Sequence, residues 1–116
     1  MNKIYHLGTC STCKRILSEI NTAGVELIDI KSNPLTETQL EELVQLSGSY
    51  LALFSKRAMK YKSLGLASQN LDEAGFKHYL LEDYTFLKRP VALVNGQLFI
   101  GNAKANVAAL KAALNQ

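Results

Sequence analysis

Two spacings of apolar and polar positions alternate along this chain, and the change from one to the other marks out its elements. Lys3 to Leu7 contains β-favouring Ile4 and Tyr5 and runs into Gly8-Thr9, which predicts a strand followed by a turn. From Ser11 the spacing becomes helical, with Ile16, Leu17 and Ile20 on one face, and Gly24 is placed to end the helix in a left-handed cap. Val25 to Ile30 alternates apolar and polar residues and predicts a second strand. Strand, helix and strand in this order normally give two parallel strands with a right-handed crossover.

Pro34 then breaks the chain. Thr36 and Gln39 have the spacing of a capping box, opening a helix with Leu40, Leu43, Val44 and Leu46 on one face and an end at Ser47-Gly48-Ser49. A short apolar helix, Tyr50 to Phe54, and a basic segment, Ser55 to Lys62, follow. Asn70 is the predicted N-cap of a helix from about Leu71 to Asp83, with Glu73 as its box partner and Gly75 inside it. Val91 to Val94 reads as a strand, Asn95-Gly96 as a two-residue hairpin turn, and Gln97 to Ile100 as the returning strand. Asn102 is placed to cap a final helix that buries Val107, Leu110 and Leu114.

The order is therefore β-α-β, an all-helical insertion at about 35–86, then β-β-α. Neither end has enough strands to stand alone, so both are expected in one mixed four-stranded sheet. That is the α/β plan of the thioredoxin-like fold. No repeat, low-complexity tract or linker interrupts it, and residues 1–116 are expected to form a single domain.

Composition agrees with this plan. A chain of 116 residues has room for one full core. Its 47% hydrophobic and 20% charged residues exclude a disordered class. Apolar runs are too short to span a membrane, and Met1 to His6 has neither an apolar signal core nor a small-residue cleavage site. The expectation is a soluble, cytoplasmic protein. The net charge of +3 is mild, and the basic residues lack the aromatic interleaving of a nucleic-acid stripe. They gather at Lys14-Arg15, Lys56-Arg57, Lys60 with Lys62, and Lys88-Arg89, whereas acids gather at Glu37, Glu41, Glu42 and at Asp72, Glu73, Glu82, Asp83. This asymmetry points to a local anion site; the alternative is solvated helix faces.

The candidate chemistry is concentrated at Cys10-Ser11-Thr12-Cys13, which holds both cysteines of the chain. They fall at the first turn of the helix that follows the first strand. The free N–H groups and dipole there stabilise negative charge and lower a thiol's pKa. Cys10 is expected to be the more exposed thiol, and Cys13, one turn on, is placed to close a disulfide with it. Two other uses of the pair are a zinc site, for which only His6 and His78 remain as further ligands of those types, and buried structural thiols. No metal is expected. Arg89-Pro90 opens the third strand, where proline cannot donate to the ladder. In thioredoxin-like folds a cis-proline here lies beside the active cysteine, which would bring Arg89 near Cys10. Arg57, in the basic segment, is a further candidate, because a guanidinium offers a two-pronged fork to an oxyanion or carboxylate.

Together these residues resemble the ArsC/Spx family of thioredoxin-fold proteins. The anchors are Tyr5-His6 through Cys10-Ser11-Thr12-Cys13-Lys14, then Asn33-Pro34-Leu35-Thr36, Ser55-Lys56-Arg57 and Leu87-Lys88-Arg89-Pro90. The resemblance implies that Cys10 is a nucleophilic or redox-sensing thiol and that Arg57 and Arg89 correspond to two arginines around the thiol of arsenate reductases. It also implies substrate contacts from Ser11, Thr12, Lys14 and Pro90. The third arginine of those reductases is replaced by Gly101, and they usually lack a cysteine at position 13.

Two functions follow as expectations. One is a reductase whose Cys10 thiolate attacks an arsenate-like oxyanion or a mixed disulfide, with Cys13 resolving the intermediate. It would bind no cofactor and would draw electrons from glutathione or from a glutaredoxin or thioredoxin partner. The other is an Spx-like redox-sensing regulator that binds the RNA polymerase α subunit, with no direct nucleic-acid contact.

Overall fold

The computed structural model describes residues 2–115. In chain order the first elements are β1 (Lys3–His6), α1 (Ser11–Glu19), β2 (Glu26–Asp29), α2 (Glu37–Ser47) and α3 (Met59–Ser63). After these come α4 (Glu73–Glu82), β3 (Val91–Val94), β4 (Gln97–Ile100) and α5 (Lys104–Leu114), with three short 3-10 turns at Leu51–Leu53, Leu66–Gln69 and Tyr84–Phe86. The chain folds as two units: the residues up to Asn33 together with those from Arg89 onward, and Pro34–Lys88.

The first unit holds the sheet, in strand order β2-β1-β3-β4. β1 runs parallel to β2, with Ile4 opposite Leu27 and His6 opposite Asp29. It runs antiparallel to β3, with Tyr5 opposite Val91, and β3 is antiparallel to β4. This is the mixed four-stranded sheet of a thioredoxin-like fold. All four residues of β3 are buried, which explains why Val91 to Val94 is a continuous apolar run: a strand covered on both faces has no polar positions to alternate. Ile4, Ile20, Ala92, Val94 and Leu110 form one core cluster, with Leu17, Phe99 and Leu114 packed against it. Full burial of a side chain the size of Ile4, Val94 or Leu110 stabilises the fold by about 1.5–3 kcal/mol. Asn95 and Gly96 both take positive φ, 52° and 78°, as a two-residue turn matched to the strand twist requires.

The second unit is built of helices and 3-10 turns, with one isolated antiparallel bridge between Phe54 and Leu87. Its centre is Phe54, stacked on Phe86 at 5.2 Å and packed against Phe76 and Tyr61 at 4.9 and 5.8 Å. The Thr36–Gln39 capping box forms in both directions: the Gln39 N–H donates to Oγ1 of Thr36 at 3.1 Å, and the Thr36 N–H donates to Oε1 of Gln39 at 3.0 Å. Gly48 closes α2 at φ 85°. Among the described residues no helix is long and apolar enough to cross a membrane.

Several local expectations are corrected. Gly24 does not cap α1. The helix stops at Glu19 because Ile20 turns to extended backbone and buries its side chain in the core cluster, and Gly24 (φ 74°) serves the Thr22–Val25 turn instead. Asn70 is not the cap of α4. It lies in the left-handed region after the Leu66–Gln69 turn, and Asp72 caps the helix by accepting the Gly75 N–H at 2.9 Å. The carboxylate of Glu73 goes elsewhere, accepting the N–H groups of Tyr50 and Leu51 at 2.7 and 3.1 Å. Asn102 makes no cap, since α5 starts from Ala103 without one, and the Asn106 amide donates to the Gly101 carbonyl at 2.8 Å. Leu46 is half exposed, so the buried stripe of α2 is carried by Leu40 and Leu43. The short apolar helix expected at Tyr50–Phe54 is present as the 3-10 turn Leu51–Leu53, and the basic segment contains most of α3.

Candidate active site

β1 ends at His6, and the chain turns through Leu7-Gly8-Thr9 before α1 begins. Two hydrogen bonds hold this corner. The Cys10 N–H donates to the Leu7 carbonyl at 3.0 Å, and the Lys14 N–H donates to the Cys10 carbonyl at 3.0 Å. Cys10 is therefore the N-cap residue, with extended backbone (φ −86°, ψ 118°). Its side chain stands where α1 presents unpaired N–H groups. Cys13 lies one turn in and is fully buried, and both cysteines are free thiols.

The two thiols are driven in opposite directions. Burial pushes Cys10 upward, but this is outweighed by hydrogen bonds from the Cys13 N–H, the Cys13 thiol, the Arg89 side chain and the Thr12 N–H, so its pKa falls below the ordinary thiol value. Cys13 is pushed up, first by burial and then by the negative charge and hydrogen bonding of Cys10, against the lowering pull of the Leu7 backbone and of Arg89. A thiol whose pKa is lowered, beside one whose pKa is raised, is the arrangement that thiol–disulfide exchange uses.

Arg89 reaches Cys10 because of the sheet. β3 lies beside β1, so the residues that lead into β3 arrive beside the end of β1. The Arg89–Pro90 peptide bond is cis. The Pro90 ring is buried, and its carbonyl accepts the Gly101 N–H at 2.8 Å. Ser11 and Lys14 are exposed on the first turn of α1, and Thr12 is half-buried there. Arg57 belongs to the helical unit, exposed in the turn before α3. The structure thus brings Cys10, Cys13, Arg89 and the first turn of α1 together within the sheet-bearing unit. Among the described residues no three His, Cys, Asp or Glu side chains converge as a metal site would require.

In a comparison against known families, the ArsC family model matches residues 5–110. The chain belongs to the ArsC family.

Among its relatives, the arsenate reductase of Neisseria meningitidis serogroup A is 28% identical over 116 residues, 93% of this chain and 96% of that protein. The solved arsenate reductase of Vibrio cholerae superposes with a TM-score of 0.77 at 23% identity, covering 94% of this chain and 96% of the other. An arsenate reductase related protein from Brucella melitensis gives 0.71 at 22%, covering 93% and 92%. These structural likenesses carry the fold alone. Within this ArsC-family chain, Gly101 takes φ 89°, a conformation in which an arginine would be strained.

Composition and motif reading missed one side chain at this site. Asp29, the last residue of β2, lies opposite His6 in the sheet register. Its carboxyl is held below the usual carboxylate range first by the Lys31 N–H, against some burial, and then by the Gly8 N–H, nearby His6 and the Ser32 N–H. His6 Nδ1 is buried and has no hydrogen-bond partner among the described residues. A lone aspartate at the end of an alternating strand gives no sequence signal of this role.

Proposed function

We propose that this ArsC-family protein is a thiol-dependent reductase in which Cys10 is the nucleophile. The observation that carries this reading is the Cys10 sulfur at the start of α1, hydrogen-bonded by Arg89 and by the first-turn N–H groups, with its pKa below that of a free thiol. With a mixed disulfide as substrate, the Cys10 thiolate attacks one sulfur and expels the other as a thiolate. Cys13 loses its proton and attacks the Cys10 sulfur. The second substrate thiolate leaves, and a Cys10–Cys13 disulfide remains.

With arsenate, Cys10 displaces water from arsenic. Attack by Cys13 on the Cys10 sulfur then leaves the electron pair on arsenic, giving arsenite and the same disulfide. In both cases two electrons from glutathione, or from a glutaredoxin or thioredoxin partner, restore the dithiol. Arg89 holds the anionic part of the substrate beside the thiol, and the exposed Ser11 and Lys14 with Thr12 line the approach to it. Arg57 is assigned to the substrate by the family resemblance. Of the two substrates the mixed disulfide fits this chain better, because Gly101 stands where the third oxyanion-binding arginine would be.

The test is pH-dependent alkylation with mass mapping, followed by turnover of arsenate and of a glutathione mixed disulfide with glutathione as reductant. A fast-reacting Cys10 with turnover of one of these substrates, abolished in Cys10→Ser, is the expected result. Turnover retained in Cys10→Ser would sink the mechanism, as would capture of RNA polymerase α subunit by a chain that reduces neither substrate.

A further inference from the structure

The corner that presents Cys10 is tied down by a residue outside it. Asp29 Oδ1 accepts the Lys31 N–H at 3.0 Å, and Asp29 Oδ2 lies so close to Gly8 that a Cβ built there would sit 2.8 Å from it. Gly8 does not have a positive φ, so its backbone would accept alanine. A methyl group at position 8 would need space the carboxylate now occupies, so the carboxylate or the turn would have to shift. The Asp29 carbonyl meanwhile accepts the Asn33 N–H at 2.8 Å, and the Ile30 N–H donates to the His6 carbonyl at 2.9 Å. The end of β2 is thereby fastened to the end of β1, immediately before the turn that sets the cap position of α1.

We propose that Asp29 is a positioning residue for the Cys10 thiolate, its carboxylate clamping Gly8 and so fixing the Leu7–Cys10 turn against the end of β2. The proposal rests on the reading of Cys10 as the nucleophile. The carboxylate serves the N–H groups of Lys31, Gly8 and Ser32, and two oxygens with two lone pairs each can satisfy all three. An asparagine offers one acceptor oxygen and turns an NH2 group toward a backbone donor, so Asp29→Asn cannot reproduce the clamp. Losing it frees the turn, and Cys10 then spends less time in register with the Thr12 and Cys13 N–H groups and with Arg89.

The sign separates positioning from a direct charge effect. Removing a negative charge that acted through space on the thiolate would lower the Cys10 pKa. Removing a clamp that holds the thiolate's donors in place raises it.

The experiment is the pH profile of Cys10 alkylation by iodoacetamide in the full-length reduced protein, for the wild type, Asp29→Asn, Asp29→Ala, Gly8→Ala and Asp29→Ala with Gly8→Ala. Each unit of rise in a thiol's pKa cuts its thiolate fraction about tenfold and raises its intrinsic nucleophilicity about threefold. The expected reading is a profile displaced to higher pH, with alkylation at pH 6 slowed by about threefold or more in Asp29→Asn. Gly8→Ala should behave alike in the wild-type background and add nothing in the Asp29→Ala background, where the methyl group has room. Asp29→Asn keeps the side chain's size and carries the test if Asp29→Ala does not fold.

A profile in Asp29→Asn that overlays the wild type, or moves to lower pH, overturns the proposal. So do additive effects of Gly8→Ala and Asp29→Ala. A wild-type Cys10 that alkylates slowly, with the pH dependence of a free thiol, defeats the reductase reading itself. A reactive wild-type Cys10 indifferent to Asp29 defeats only the clamp.

Discussion

The side chain of Arg89 hydrogen-bonds the sulfur of Cys10, although the whole helical unit separates the two residues in sequence. The antiparallel pairing of β3 with β1 brings them together, and the cis Arg89–Pro90 step leads directly into β3. The strand that completes the core therefore also delivers the cation that favours the thiolate.

Arg89→Ala should raise the Cys10 pKa by removing that cation and its hydrogen bond, and should slow alkylation at pH 6 severalfold. Arg89→Lys retains the charge but loses the guanidinium fork and should fall between the two. Following the 240 nm thiolate absorbance against pH checks both; an unmoved curve in Arg89→Ala would mean that the hydrogen bond has no weight in solution.

Cys13→Ser should leave a mixed disulfide on Cys10, visible by intact mass as a substrate or glutathione adduct released by dithiothreitol. Removing the resolving thiol stops the second exchange without impairing the first. A variant that turns over at the wild-type rate, with no adduct, would place resolution on an external thiol.

The lowered pKa of Cys10 makes its contribution to stability depend on pH with a definite sign. Between the folded value and the ordinary thiol value near 8.5 the unfolded chain binds more protons, so stability rises with pH in that window. Below the folded value the contribution is lost. Cys13 acts in the opposite sense: its raised pKa favours the folded state below the unfolded value, and that advantage goes as pH rises through the folded one. Urea midpoints of the wild type against Cys10→Ser should diverge in favour of the wild type as pH climbs toward 8.5, and midpoints against Cys13→Ser should converge above it.

Thr36→Ala removes one half of an observed capping box and should lower stability by about 1 kcal/mol. Asn102→Ala removes a side chain that caps nothing and should stay within about 0.5 kcal/mol of the wild type. Paired denaturation curves test the contrast, and equal losses would restore Asn102 as a cap.

Sequence alone determined the features set by neighbours a few residues apart. The Thr36–Gln39 box, the Asn95-Gly96 turn, the helix end at Ser47-Gly48-Ser49 and the helix start at Cys10-x-x-Cys13 each depend on local backbone geometry, and each could be read directly. The four strands and their mixed sheet followed, because runs such as Val91–Val94 carry their burial in their composition. Where a local rule met a distant competitor, tertiary structure decided. Glu73 has the spacing of a box partner for Asn70, yet its carboxylate serves the N–H groups of Tyr50 and Leu51. Ile20 continues a helical stripe, yet it leaves the helix to fill the core beside Ile4 and Leu110. The site divides in the same way. Cys10 and Cys13 announce themselves by spacing, but the meeting of Arg89 with Cys10, and of Asp29 with Gly8, depends on sheet register. Register is a long-range pairing that a sequence encodes only through the summed burial of its strands.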